Sequence, residues 1–192
     1  MKRYALRGVC CISAVAVGVF CLFTTFAIAQ VKPEQVAEAD LKVAYTISFF
    51  KFLKHDNPKS RHTHSAVGLC VVGDGRVADA FARAEGLELM LDSPRKLQVQ
   101  RTSFRLEDKT LDNCWAVYVE HSNRNRIGAI AKQLRGKGIL LICESKGALG
   151  KGAMLNLLRA GDKLRWEMSR SSLESERLGM SAQVYRNAVW VE

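Results

Sequence analysis

Few residues in this chain are of types that could do chemistry, and their spacing argues against most of it. Gly73-Asp-Gly75-Arg-Val-Ala78 fits the G-x-G-x-x-A pattern of a dinucleotide turn. That site also needs an acidic residue at the end of the following strand to hold a ribose. The next strand-like run, 97–101, ends in arginine. The glycines therefore read as a tight strand-to-helix turn, whose backbone amides could hold some anion. Gly147-Ala-Leu-Gly-Lys-Gly152 is too short between its glycines for a phosphate loop and lacks Ser or Thr after Lys151. His55, His62 and His64 fall in a polar stretch. An H-x-H pair can ligate zinc, but nothing nearby supplies a third and fourth ligand. His121 follows Glu120 without a placed nucleophile, so no triad forms on paper. The chain is expected to have no catalytic residue, no cofactor and no metal, and not to be an enzyme.

Strand-like and helical patterns organise these residues. Cys114-Trp-Ala-Val-Tyr-Val-Glu120 is strand-like, and Ile127, Ile130, Ala131 and Leu134 then recur at helical spacing. Ile139-Leu-Leu-Ile-Cys-Glu144 is a second apolar run. Strand, helix, strand with two apolar strands is a parallel βαβ unit. Met154-Leu-Asn-Leu-Leu158 and Lys163-Leu-Arg-Trp-Glu-Met168 face each other across Gly161-Asp162, and the alternation of Leu164, Trp166 and Met168 with charged residues predicts a β-hairpin. Upstream, residues 36–53 read as a helix crowded at its end by Phe49, Phe50 and Phe52; it reads first as a core helix packed on the sheet, and alternatively one of these aromatics reaches the surface and serves a partner or a dimer mate. A strand over 66–72 and a helix carrying Val77, Ala80, Phe81 and Ala84 follow. Ser171-Ser-Leu-Glu174 has the form of a capping box, with Gly179 as the residue that ends that helix. Ser181 caps a last helix with Val184, Tyr185, Ala188 and Val189 on its apolar stripe, which could extend to Trp190. The fold class is α/β: a single-domain mixed sheet with a βαβ core, an antiparallel C-terminal hairpin and flanking helices.

The N-terminus has the grammar of an export signal. Lys2, Arg3 and Arg7 precede an apolar run over 9–26, and Ala27-Ile-Ala29 forms a cleavage site before Gln30. The expected division is a cleaved signal over 1–29 and one α/β domain over 30–192, leaving no stable membrane insertion. Removing three bases takes the formal charge from +10 to about +7. The remaining bases read as spread along the chain, which makes nucleic acid an unexpected partner and leaves an acidic protein or an anionic membrane open. Cys10, Cys11 and Cys21 leave with the signal. Of the rest, Cys70 and Cys114 lie in or beside strands of one sheet, where a bridge is geometrically plausible in an oxidising compartment. Cys143 lies within an apolar run and reads as a small buried hydrophobe.

Several blocks together resemble the YfiR family of exported bacterial proteins: Leu41-Lys-Val-Ala-Tyr with Phe49-Phe-Lys-Phe, Leu69-Cys-Val-Val-Gly-Asp74, Cys114-Trp-Ala-Val-Tyr-Val, Gly152-Ala-Met-Leu-Asn-Leu157 with Leu164-Arg-Trp-Glu-Met, and Leu178-Gly-Met-Ser-Ala-Gln183. The resemblance implies a periplasmic α/β domain, commonly a homodimer, that binds and represses an inner-membrane diguanylate cyclase through that enzyme's periplasmic region. It implies an outer-membrane lipoprotein of OmpA type that draws the repressor away, and a lowered cyclic-di-GMP level and biofilm formation as the output. Cys70 and Cys114 match the family's bridge. Cys143 matches half of a second bridge whose partner position, near Gly150, holds no cysteine. The family's Trp-Pro pair after the first helix is also absent. The competing expectation is a periplasmic small-ligand binder, its crevice at the carboxyl ends of the strands lined by Gly73, Asp74, Gly75, Glu120, His121, Glu144 and Ser145.

Overall fold

Strands whose residues are all apolar need cover on both faces, and that requirement sets the centre of this fold. The computed structural model describes residues 33–55, 66–103, 105 and 109–191. The strands in chain order are β1 (Leu53–His55), β2 (Ala66–Val72), β3 (Glu88–Met90), β4 (Pro94–Thr102), β5 (Ala116–Val119), β6 (Leu140–Cys143), β7 (Leu155–Ala160), β8 (Lys163–Met168), β9 (Leu178–Met180) and β10 (Trp190–Val191). The helices are α1 (Pro33–Phe50), α2 (Arg76–Arg83), α3 (Ile127–Leu134), α4 (Arg170–Ser175) and α5 (Ala182–Arg186). The main sheet runs β10-β8-β7-β6-β5-β2-β4-β3. Its middle is parallel, β4, β2, β5, β6 and β7 in turn. β3 and β8 are antiparallel to their neighbours β4 and β7. The mixed α/β class, the βαβ unit and the hairpin all stand as expected. β5 and β6 are buried throughout, and Ala116 pairs with Leu140 and Val119 with Cys143.

The period-2 geometry of β2 divides the core in two. Val67, Leu69 and Val71 join Phe81, Tyr118 and Ile142 on the face covered by α1 and α2. Cys70 and Val72 join Val117, Leu141, Ile127 and Ile130 on the face covered by α3. The second face also holds the disulfide. Cys70 and Cys114 are bridged with their Cα atoms 5.8 Å apart and a sequence separation of 44. Cys143 is a free, buried thiol on β6. Burial, with the Glu144 charge beside it, pushes that thiol's pKa far up and keeps it unreactive.

Several local readings are corrected. The first helix stops at Phe50, because Leu53–His55 leaves it to pair antiparallel with β9 in a separate two-stranded sheet. Phe49 and Phe50 are 3% and 2% exposed, which makes them core residues rather than surface aromatics, and Phe52 is half-buried. The cap of α4 is Ser169, whose hydroxyl accepts from Ser172 N at 3.1 Å, two residues before the expected Ser171. Gly179 lies within β9, and the left-handed turn after α4 falls on Arg177 at φ 55°. Ser181 is the cap residue of α5 as expected, with no side-chain bond to the helix, but α5 ends at Arg186, so Ala188 and Val189 lie beyond it and Trp190 enters β10 beside β8. His62 and His64 lie outside the described residues.

The charge distribution is corrected as well. Residues 121–153 hold seven bases and one acid, Glu144, a net of +6 out of the +7 that remains after Lys2, Arg3 and Arg7 are set aside. The fold gathers the parts of that stretch on either side of β6 into one layer. A 3₁₀ segment (His121–Arg126), α3 and a second 3₁₀ turn (Leu149–Lys151) bury Ile127, Ile130, Leu134 and Leu149 against one face of the sheet.

The bridge closes a long loop across neighbouring strands, and the chain-entropy estimate for a loop of this length is roughly 4 kcal/mol. Cys70→Ser is expected to lower unfolding stability by about 3–4 kcal/mol in denaturant titration under oxidising conditions. An unchanged midpoint would remove the bridge from the account of stability.

Candidate functional site: a crevice closed by the chain's own carboxylates

In an open α/β sheet the crevice forms outside the carboxyl ends of the strands, where strand order reverses. Here β2 is flanked by β4 on one side and β5 on the other, so that point lies between β2 and β5. Gly73 follows β2 and Glu120 follows β5. The Glu120 side chain turns back across this point. Its carboxylate accepts from Gly75 N at 2.7 Å and from Ala78 N at 3.0 Å, at the start of α2. The helix dipole and free amides there favour an anion, and the anion is supplied by the chain itself. The glycines follow from this contact. A Cβ on Gly73 would stand 2.0 Å from Glu120 Oε2, and one on Gly75 would stand 2.9 Å from Oε1.

Glu144 occupies the equivalent place after β6. Its Oε2 accepts from Tyr118 OH at 2.8 Å and from Lys42 Nζ at 2.8 Å, while Oε1 accepts from His121 N at 2.8 Å. Lys42 also reaches Glu38 at 2.7 Å, one turn away on α1, and Arg159 approaches Glu38 at 3.3 Å. Burial alone would lower the Lys42 pKa, but the Glu144 and Glu38 carboxylates together outweigh it and the net direction is up. The hydrogen bond from Lys42 is the largest effect on Glu38 and, against burial, lowers its pKa. Burial, then the Glu144 charge, raises the Tyr118 hydroxyl well above its ordinary value and keeps it a donor.

The seven residues expected to line one crevice are divided by the structure. Gly75, Glu120, His121 and Glu144 share a cavity of about 310 Å³ with Glu38, Lys42 and Arg76. Gly73 and Asp74 open instead onto a separate cavity of about 360 Å³ with Arg101 and Arg126. Ser145 lines neither. It is buried, with its backbone N–H and carbonyl both bonded to the Asn156 amide at 3.0 Å. Its hydroxyl lies 3.2 Å from His121 Nδ1. A nucleophile needs access to substrate, and the carboxylate beside His121 holds its backbone N–H rather than its ring. The group is a structural network. Among the described residues no cluster of three or more His, Cys, Asp or Glu is placed to hold a metal. Sequence reading missed Lys42 and Glu38, whose i,i+4 spacing on a helix looks like an ordinary surface pair.

On the same side of the sheet, α1 and α5 leave an apolar groove of about 230 Å³ lined by Leu41, Tyr45, Phe52, Trp166 and Val184. Tyr45 and Phe49 rings stand 5.4 and 5.6 Å from Trp166. The exposed side chains Leu41 and Val189 continue the patch at its rim.

These features describe a binding domain: a doubly covered α/β sheet, an internally neutralised crevice and an apolar groove. The chain belongs to the YfiR/HmsC-like family, whose model matches residues 39–189. That family is one of periplasmic regulatory proteins of cyclic-di-GMP signalling. A search of curated proteins found no match. Among solved structures, a conserved domain protein from Vibrio cholerae O1 biovar El Tor is similar at a TM-score of 0.54 and 7% identity, over 80% of this chain and 60% of that one. At that identity the likeness concerns the fold alone, and this chain spans about 60% of that protein's length. No helix among the described residues is long and apolar enough to cross a membrane.

The network makes a pH prediction. Because the Glu38 pKa is lower folded than unfolded, its contribution is present above the ordinary carboxylate value and is lost as pH falls through the depressed folded value. Glu38→Gln is expected to melt below the parent chain at pH 7, with the gap closing as acid protonates Glu38 in the parent. A gap that stayed constant from pH 7 to pH 3 would show that the ionised form of Glu38 adds nothing. A second expectation concerns the glycine turn. Gly73→Ala should cost about 2–3 kcal/mol, and a double variant with Glu120→Ala should show a coupling of at least 1 kcal/mol. Simple additivity would mean that Gly73 is required for its backbone conformation alone.

Proposed function

We propose that this chain is a periplasmic repressor that binds the periplasmic region of an inner-membrane diguanylate cyclase, lowering cyclic-di-GMP and biofilm formation. The observation that carries the reading is the family match across residues 39–189, nearly the whole of the compact unit Val31–Glu192. The site geometry supports it. The helix amides that could take an anionic ligand are already bonded to Glu120, and Glu144 is neutralised by Lys42. The groove between α1 and α5 is the surface we assign to the cyclase, with Phe52, Leu41, Tyr45 and Trp166 as its contacts. Phe49 lines the floor of the groove and is 3% exposed, and Phe50 does not line it. In this reading residues 1–29 direct export and are cleaved after Ala29, the mature chain acts as a homodimer, and an OmpA-type outer-membrane lipoprotein relieves repression by binding it.

The second reading, a small-ligand binder, is favoured by one observation. The cavity of about 310 Å³ retains Arg76, His121 and the Lys42 pair at its wall. A ligand there would touch α1 and so reach the groove residues, which makes the two readings compatible.

Deleting the gene is expected to raise cellular cyclic-di-GMP, and complementation to restore it. An unchanged level in a strain that demonstrably exports the protein would overturn the repressor assignment. At residue level, Leu41→Asp is expected to weaken capture of the cyclase's periplasmic region at least tenfold while leaving the melting temperature within a few degrees, since Leu41 is 42% exposed. Phe49→Ala, by contrast, should unfold the domain more readily, by about 3–5 kcal/mol.

A further inference from the structure

The layer formed by residues 121–153 carries nearly all of the net charge left outside the N-terminal segment, and its bases face outward. Arg124, Arg126, Lys132, Arg135, Lys146 and Lys151 are exposed, and Lys137 is half-buried against Asp112 at 2.5 Å. The one acid of the stretch, Glu144, does not offset them at this surface, because its carboxylate is turned to Tyr118 and Lys42 in the layer on the other side of the sheet. Outside this stretch, bases and acids nearly cancel, at a net of +1 over 30–120 and 154–192.

We propose that this α3 face docks onto an anionic lipid surface. The inference rests on the periplasmic reading, which puts the chain beside a membrane. Three features favour lipid over the other anionic partners. Protein interfaces are built on desolvated apolar or aromatic anchors. The exposed large hydrophobic residues among the described ones are Leu41, Leu87, Met90 and Val189, and none lies in this layer. Single-stranded nucleic acid needs aromatic platforms for its bases, and residues 121–153 contain no Phe, Tyr or Trp. Attraction of Lys and Arg to anionic headgroups needs neither anchors nor a groove; it needs several long cationic side chains exposed on one face within a Debye length of the surface. The fold supplies that arrangement, and it leaves the apolar groove on the opposite side of the sheet free for a protein.

The test uses protein recovered from the periplasm, its N-terminus defined by mass spectrometry, in cosedimentation with vesicles. Vesicles of phosphatidylcholine with about a third phosphatidylglycerol are expected to bind it, pure phosphatidylcholine vesicles to leave it in solution, and high salt to release it. Each neutralised charge should weaken binding about fivefold. The variant Lys132→Gln, Arg135→Gln, Lys146→Gln, Lys151→Gln should therefore lose on the order of 100-fold or more. A control variant with Lys51, Lys163, Arg165 and Arg186 changed to Gln has the same net charge and should bind much as the parent does. Equal loss in the two variants would overturn the proposal in favour of a net-charge effect, and so would equal binding to both kinds of vesicle. If the four-base variant instead lost capture of an acidic protein segment while the parent ignored lipid, the face would be a protein interface. Cyclic-di-GMP in the deletion strain is read separately. Lipid binding that fails while deletion still raises cyclic-di-GMP overturns this surface alone. Lipid binding that holds while deletion changes nothing overturns the repressor reading alone.

Discussion

Two carboxylates at neighbouring strand ends constrain this structure more than any other pair of groups. Val119 pairs with Cys143 in the parallel register of β5 and β6, so Glu120 and Glu144 leave the sheet as the next step of the same ladder. Parallel neighbours lie about 5 Å apart and project to the same side. Two buried negative charges that close repel strongly unless each is neutralised separately. The chain does so with two different devices. Glu120 takes the amides at the start of α2, and Glu144 takes the ammonium of Lys42 on α1 together with the Tyr118 hydroxyl. Both helices are thereby pinned to the same end of the sheet. Phe81 of α2 stacks edge-on to Tyr118 at 5.0 Å, which ties the polar network to the core beneath it.

What could be read in the sequence divides along the same line. Apolar strands, amphipathic helices and the hairpin depend on residues close in the chain, and their periodicity displays them. The strand over 66–72, the helix around Ile127 and Ile130, and the alternation of Leu164 with its charged neighbours are of this kind. The family blocks extended that reading to the whole domain. The failures depend on distant residues. The first helix ends early because Leu53–His55 is claimed by β9, some 125 residues on. The glycines at 73 and 75 look like a nucleotide fingerprint, and their actual reason is a glutamate 45 residues beyond Gly75. Lys42 looks like half of a surface ion pair until Glu144 arrives from β6. Ser171 has the sequence of a capping box, but the chain is extended only as far as Ser169, and the cap belongs to the residue that still has extended backbone when the helix begins.

The charge distribution was hidden for a different reason. A count over the whole chain averages a strongly basic stretch with two neutral ones. The asymmetry becomes physical only when the fold is known, because a basic stretch of sequence need not be a basic surface. Here it is one, since the 3₁₀ segments and α3 that flank β6 in 121–153 turn Ile127, Ile130, Leu134 and Leu149 to one face of the sheet and leave the bases outside. The sheet then separates a basic side from a side that carries an apolar groove.

That separation bears on how the molecule could transmit a change. Coupling between sites needs an element with two arrangements that both sites bias. α1 is the element best placed for it. It carries Lys42 in the crevice at the sheet's carboxyl end, and Leu41, Tyr45 and Ser48 in the wall of the groove. Lys42 holds one side of the helix by charge, and the cluster of Tyr45, Phe49 and Trp166 holds the other by packing. The two attachments differ in kind. The charge attachment responds to anything that competes for Glu144, whereas the packed one responds to whatever fills the groove. A ligand at one and a protein at the other would compete for, or reinforce, the same helix position without touching each other. On the basic face, α3 is bound to the sheet through Ile127, Ile130 and Leu134, and α1 lies on the other side. In the proposed docking that face would place the molecule, while α1 is the element that borders both the crevice and the groove.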